Sequence, residues 1–163
     1  NKNTKKYREA LLEHDIVYTQ KEKEDAERLA DALLKNDMAQ TLLTGSQFEV
    51  PAIDYIGEWI FRGKADILTK GKTIIKTTTD IKGFKYSAKK YGYDIQCYIY
   101  CQLFNVNYFD FKFLVIDKGS CDIAVAECTE EFYLAGKEKT ELGIQRYEEW
   151  FTSDEVDLDN YYI

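Results

Sequence analysis

Apolar positions along this 163-residue chain change period from helical spacing to alternation and back. Ala26, Leu29, Ala30, Leu33 and Leu34 recur every three or four residues, which puts them on one helix face, and Thr19-Gln-Lys-Glu before them predicts a capped start with Thr19 as N-cap. Met38 to Leu43 predicts a short second helix that stops at Gly45. From Gln47 to Leu68 the pattern is that of strands. Phe48, Val50, Ile53 and Tyr55 lead into a turn at Gly57-Glu58, and Trp59 to Leu68 returns as the second arm of a hairpin. Lys70-Gly-Lys predicts another tight turn, and Thr73-Ile-Ile a short buried strand running into Lys76.

Tyr91, Ile95, Tyr98, Ile99, Gln102 and Leu103 then mark one face of a single helix from about Ser87 to Phe104. Two strands follow, Phe109 to Ile116 and Ile123 to Glu127, separated by Lys118-Gly-Ser. Thr129-Glu-Glu opens a last long helix reaching Trp150. This order predicts a mixed α/β fold, a small central mixed sheet flanked by helices. Residues 1–163 are expected to form one domain, with 1–18 and 153–163 peripheral or loose.

Composition narrows the class. Hydrophobic residues at 45% and aromatics at 15% support a real core, so disorder is not expected away from the ends. One proline, Pro51, and nine glycines leave no linker, and no repeat is visible. No apolar run approaches the roughly 20 residues that cross a bilayer, and the opening Asn1-Lys-Asn-Thr-Lys-Lys leads into no signal core, so a cytoplasmic protein is expected. The chain lacks an initiator Met, which leads us to expect a fragment or a trimmed chain.

Cys97 and Cys101 lie one turn apart on an apolar helix, and Cys121 and Cys128 bracket a strand. No C-x-x-C pair exists, so reduced cysteines acting as small buried hydrophobes are the expectation, and the spacings do not fit an iron–sulfur cluster. His14 is the only histidine and sits in a polar stretch, which gives no support to a histidine zinc site or a Ser-His-Asp hydrolase. The formal charge of −7 argues against non-specific coating of nucleic acid. A basic strip nevertheless stands out. Lys82, Lys85, Lys89 and Lys90 alternate with Phe84, Tyr86 and Tyr91, which suits a solvated helix start or a DNA groove equally.

The candidate chemistry lies between Arg62 and Tyr100. Arg62-Gly-Lys-Ala-Asp66, Lys76-Thr-Thr-Thr-Asp80 and Gln96-x-x-x-Tyr100 would bring an acid, a lysine and a glutamine–tyrosine pair around a phosphodiester. A divalent ion for such a reaction is best held by carboxylate oxygens, and a nearby lysine can stabilise charge growing on phosphate. A second acid is wanted two residues before Lys76, where strand alternation would place it on the lysine's face. The residue there is Ile74. Each of these side chains also has an ordinary structural role open to it: Asp66 can end a strand, Lys76 can snorkel from an edge, Gln96 and Tyr100 can pair on a helix surface, and Glu49 can simply flank a strand.

As a set, these residues resemble the PD-(D/E)XK nucleases, and within them the phage-type exonuclease VIII (RecE-like) group. The resemblance runs from about Glu49 to Phe104. It rests on Glu49, on Arg62-Gly-Lys-Ala-Asp66 for the family's Gly-Arg-x-Asp, on Lys76-Thr77-Thr78 for its Lys-Thr-Thr, and on Gln96 to Tyr100 for its Gln-x-x-x-Tyr helix. It implies a restriction-endonuclease-like core, Asp66 and Glu49 at a Mg²⁺ or Mn²⁺ ion, Lys76 as catalytic lysine, and Gln96 and Tyr100 holding the active site or the strand.

The implied activity is digestion of one strand of duplex DNA from an end, in a phage or prophage system. A single-strand annealing partner and a homo-oligomer go with it. The family's Asp-x-Lys is not matched: either Ile74 replaces the acid, or an Asp-x pair is absent from this chain. Asp80 is a substitute ligand or the cap of the next helix. Two rivals stand beside the exonuclease: a catalytically silent relative that binds DNA or a partner, favoured by Ile74, and a restriction or repair endonuclease.

Overall fold

The computed structural model describes residues 2–69 and 81–151. In chain order its elements are α1 (Lys5–Glu13), α2 (Gln20–Leu34), α3 (Asp37–Leu43), β1 (Ser46–Ile56), β2 (Trp59–Thr69), α4 (Phe84–Lys90), α5 (Tyr93–Leu103), β3 (Lys112–Ile116), β4 (Ile123–Glu127) and α6 (Glu130–Phe151). The fold is mixed α/β, as the alternation of periods predicts. The expected strand at Thr73-Ile-Ile, the turn before it, and Ile74, Lys76 and Asp80 lie outside the described residues.

β1 and β2 form a long antiparallel hairpin through the Gly57-Glu58 turn, where Gly57 supplies a φ of +64°. Its open end is fixed to α3, since the Thr69 hydroxyl donates to the Leu42 carbonyl at 2.9 Å and meets Ser46 Oγ at 2.5 Å. Its turn end is fixed to α6. The Trp59 indole donates to Glu148 at 2.7 Å and meets the Tyr147 ring edge-on.

β3 pairs antiparallel with β4, and its apolar run is buried on both faces. Phe113 and Val115 enter a core with Phe84, Ala88, Cys97, Cys101, Phe111 and Ala65. Leu114 points the other way, into a smaller cluster with Ala39, flanked by Leu33, Leu42 and Ile67. The β3–β4 turn is ordered by Asp117, whose carboxylate accepts from the Gly119 and Ser120 amides at 2.8 and 3.0 Å. Arg28 of α2 donates to the Lys118 carbonyl of the same turn at 2.6 Å.

Local capping follows the sequence. Thr19 and Glu22 form a capping box at the start of α2, and Thr129 accepts from the Phe132 amide at the start of α6. The single helix expected from Ser87 to Phe104 is instead two, because Gly92 adopts a left-handed φ of +69° and turns the chain between α4 and α5. The strand expected from Phe109 begins only at Lys112. Before it, the Asp110 and Phe111 amides donate to the Asn107 carbonyl and wind the chain into turns. α1 was not anticipated, and it buries none of its residues.

α5 and α6 approach unusually closely. A Cβ on Gly136 would lie 2.0 Å from the Asp94 carbonyl oxygen, so only glycine permits this crossing. Beside it the Asp94 side chain, 1% exposed, accepts from the Lys139 amine of α6 at 2.5 Å. The pairing is the condition for keeping that carboxylate inside the protein.

Candidate active site on the hairpin

Alternation along β2 puts Arg62, Lys64 and Asp66 on one face of the hairpin, and Gly63 and Ala65 on the other. Ala65 is fully buried in the core, while Arg62 and Lys64 are exposed and Asp66 is half-buried. The ladder pairs Phe48 with Ile67 and Val50 with Ala65. Glu49 therefore stands opposite Asp66.

That one position interrupts the ladder. Glu49 has a φ of +55°, a left-handed conformation that costs a residue with a Cβ about 1–2 kcal/mol. The Glu49 carboxylate is ion-paired with the Lys64 amine, which sits diagonally across the hairpin. Glu49, by hydrogen bond and by charge, raises the Lys64 pKa above the ordinary lysine value, with smaller contributions from Asp66 and Tyr100. Lys64 thus carries its full charge at neutral pH beside two carboxylates.

α5 reaches the same place from the opposite face. The Tyr100 hydroxyl donates to the Lys64 carbonyl at 2.9 Å. Gly63 makes this approach possible, since a Cβ there would meet Leu103 Cδ1 at 2.8 Å and the Tyr100 ring at 3.0 Å. The glycine inside Arg62-Gly-Lys-Ala-Asp66 is thus the seat of the tyrosine.

Of the residues predicted from sequence, Glu49, Asp66 and Tyr100 come together around Lys64. Gln96 lies one turn before Tyr100 on α5, half-buried, and Lys76 falls outside the described residues. Lys64 was missed as a site residue. Its signal was present, because a residue two before Asp66 in a strand must share its face. Asp94 was missed as well, and nothing in its local sequence marks it as buried.

Carboxylates at opposed register positions, Glu49 and Asp66, are the oxygen donors a hard divalent ion prefers, and Glu49 is paired with Lys64. Among the described residues, no group of three or more His, Cys, Asp or Glu side chains could hold a metal ion. Cys97, Cys101 and Cys128 are buried together, and the neighbouring thiols together with burial push the Cys97 pKa upward, which keeps it protonated. Cys121 stands apart, half-exposed, with its sulfur 2.6 Å from an Arg28 nitrogen.

Residues 2–156 match the PDDEXK-like domain of unknown function (DUF3799). The chain belongs to this family. Among solved structures it is similar to one described as a "Putative exonuclease" from Eubacterium rectale, with 19% identity and a TM-score of 0.63, over 86% of this chain and 59% of that one. It also matches the structure of SSO0001 at 20% identity and a TM-score of 0.42, over 72% of this chain and 59% of that one. This PDDEXK-like chain thus spans about three-fifths of the solved chains it matches. No curated protein sequence matches it. Among the described residues of the domain, no helix is long and apolar enough to cross a membrane.

Proposed function

We propose that the chain is a metal-dependent DNA exonuclease that digests one strand of a duplex from its end, of the phage or prophage recombination type. The observation that carries this reading is the placement of Glu49 opposite Asp66 in the hairpin register, with the Glu49 carboxylate paired to Lys64 and the Tyr100 hydroxyl on the Lys64 carbonyl. The membership in a PDDEXK-like family and the fold shared with the E. rectale protein support it.

Glu49 and Asp66 would hold Mg²⁺ or Mn²⁺, which when bound would neutralise charge at phosphate and lower the pKa of a water so that hydroxide is available as nucleophile. The chain's own residues do the rest. The Lys64 amine, held protonated, draws a phosphate toward the carboxylates and is displaced from Glu49 as the anion arrives. Tyr100 holds the β2 backbone at Lys64, and so holds Asp66 two residues on. Lys76 is the proposed catalytic lysine, and Gln96 the second residue of α5 that steadies the strand. The product would be single-stranded DNA for an annealing protein, made by a homo-oligomer.

Ile74 favours a second reading, a silent nuclease fold that binds DNA or a partner. The test is incubation with linear and closed circular duplex in Mg²⁺ and in Mn²⁺, reading acid-soluble nucleotide. Linear DNA should be consumed and the circle spared, with Asp66→Asn at least about 100-fold slower. A cut circle would replace the exonuclease with an endonuclease. No release with either metal would favour the silent protein.

A further inference from the structure

A cavity of about 480 Å³ lies between α4, the end of β4 and the first turn of α6, and the site above makes no use of it. Three aromatic rings line it: Phe84 and Phe113, which are otherwise buried in the core, and the partly buried Phe132. Phe113 meets both of the others, at 5.4 and 6.3 Å between ring centres. Lys82, in the turn before α4, and Lys85 and Lys89, one helical turn apart on α4, also line it.

Two carboxylates also border the cavity, and both are already engaged. Lys112 binds Glu127 at 2.5 Å and holds its pKa below the ordinary glutamate value. Glu131 lies 3.7 Å from the Lys89 amine. Lys82 and Lys85 have no ion-pair partner among the described residues. Among the described residues, two amines without an ion-pair partner and three aromatic rings therefore border the cavity, and its size falls within the range of roughly 300–1,000 Å³ that holds small organic groups.

Beyond the cavity, α4 and its C-cap add an extension of two exposed tyrosines. Tyr86 is 79% exposed, and Tyr91 is 64% exposed with the Lys90 amine 5.7 Å above its ring. A small free anion would use the cavity and leave this extension idle. A polymer that repeats a flat ring and an anion would use both, and single-stranded nucleic acid is such a polymer.

We propose that this cavity takes one unpaired base of a DNA strand, with the flanking phosphates on Lys82 and Lys85. The choice of DNA rests on the exonuclease reading, in which a duplex end must release one strand unpaired.

The test is fluorescence anisotropy of a labelled ten-residue oligothymidylate in EDTA, where no cleavage interferes. Lys82→Glu with Lys85→Glu should weaken binding at least tenfold and flatten the salt dependence by about 1.4 in log–log slope, from about 0.7 per phosphate contact. The neutral pair Lys82→Gln with Lys85→Gln should weaken it less. Charge-matched Lys5→Glu with Lys35→Glu should stay within twofold of the parent. An abasic oligomer of equal length should bind the parent at least fivefold more weakly.

Equal binding by parent and cavity variants, an equal loss in the control pair, or equal affinity for the abasic oligomer would each overturn the assignment. Digestion of linear duplex is measured alongside. If the parent digests DNA while the cavity variants bind oligothymidylate normally, the cavity assignment fails alone. If no digestion occurs but binding depends on Lys82, Lys85 and the bases, the exonuclease reading fails and the cavity assignment stands.

Discussion

Adding one methyl group at Gly136 and one at Gly143, both on α6, should move stability in opposite directions. At Gly136 the new Cβ would sit 2.0 Å from the Asp94 carbonyl oxygen and 2.4 Å from its carbon. These are backbone atoms of α5 and cannot swing aside, so the helices must part by about 1 Å or more. A gap of that size forfeits a quarter to a half of each dispersion contact along the seam. Overpacking of this kind costs about 3 kcal/mol, and the better helix propensity of alanine returns about 1.

The net loss of about 2 kcal/mol corresponds to a fall in Tm of about 4–8 °C for a domain of this size. At Gly143 nothing lies within 4 Å of the new Cβ. Gly143→Ala should therefore gain about 1 kcal/mol and raise Tm by about 2–4 °C. Differential scanning calorimetry of the two variants and the parent decides the matter. A Gly136→Ala protein that melts at or above the parent would refute the close crossing of α5 and α6, and with it the placement of Tyr100 beneath the hairpin.

Three further outcomes are expected. Tyr100→Phe removes the hydrogen bond to the Lys64 carbonyl, so it should cost about 1 kcal/mol in stability and slow digestion of linear duplex without abolishing it; unchanged rates would detach Tyr100 from the site. Lys2 and the Thr19 cap hold the Glu22 carboxyl down to about 2, so its contribution to α2 should be complete above about pH 4.5 and vanish as pH falls toward 2, as NMR titration would report; a midpoint near 4.5 would contradict the capping box. Under native conditions a thiol reagent should label Cys121 at least about tenfold faster than Cys97, Cys101 or Cys128, because the latter three are buried; equal rates read by mass spectrometry would contradict their packing.

Most of the elements could be read from the chain because they are set by neighbours a few residues away. Helical spacing marks α2, Thr129-Glu-Glu marks the start of α6, alternation marks the hairpin, and Thr19-Gln-Lys-Glu marks a cap that forms as expected. The same local rules gave one helix where two exist, since the apolar face of Tyr91 to Leu103 carries no sign that Gly92 would turn left-handed. Glu49, Asp66 and Tyr100 are marked by the resemblance, whereas Lys64 is marked only by its alternation with Asp66 along β2. Asp94 could not have been found, because its burial depends on a lysine 45 residues away and on a glycine of another helix.

The sequence by itself therefore determined the order of helices and strands, the faces they present and the residue types able to hold a cation. Tertiary structure decided that Glu49 lies opposite Asp66 in the hairpin register, that its carboxylate pairs with Lys64, and that three aromatic rings and three lysines line one cavity. The physical reason is range. Period and caps are short-range hydrogen-bonding and burial preferences, whereas a shared site depends on strand register and on how closely two helices can approach, which no single segment contains.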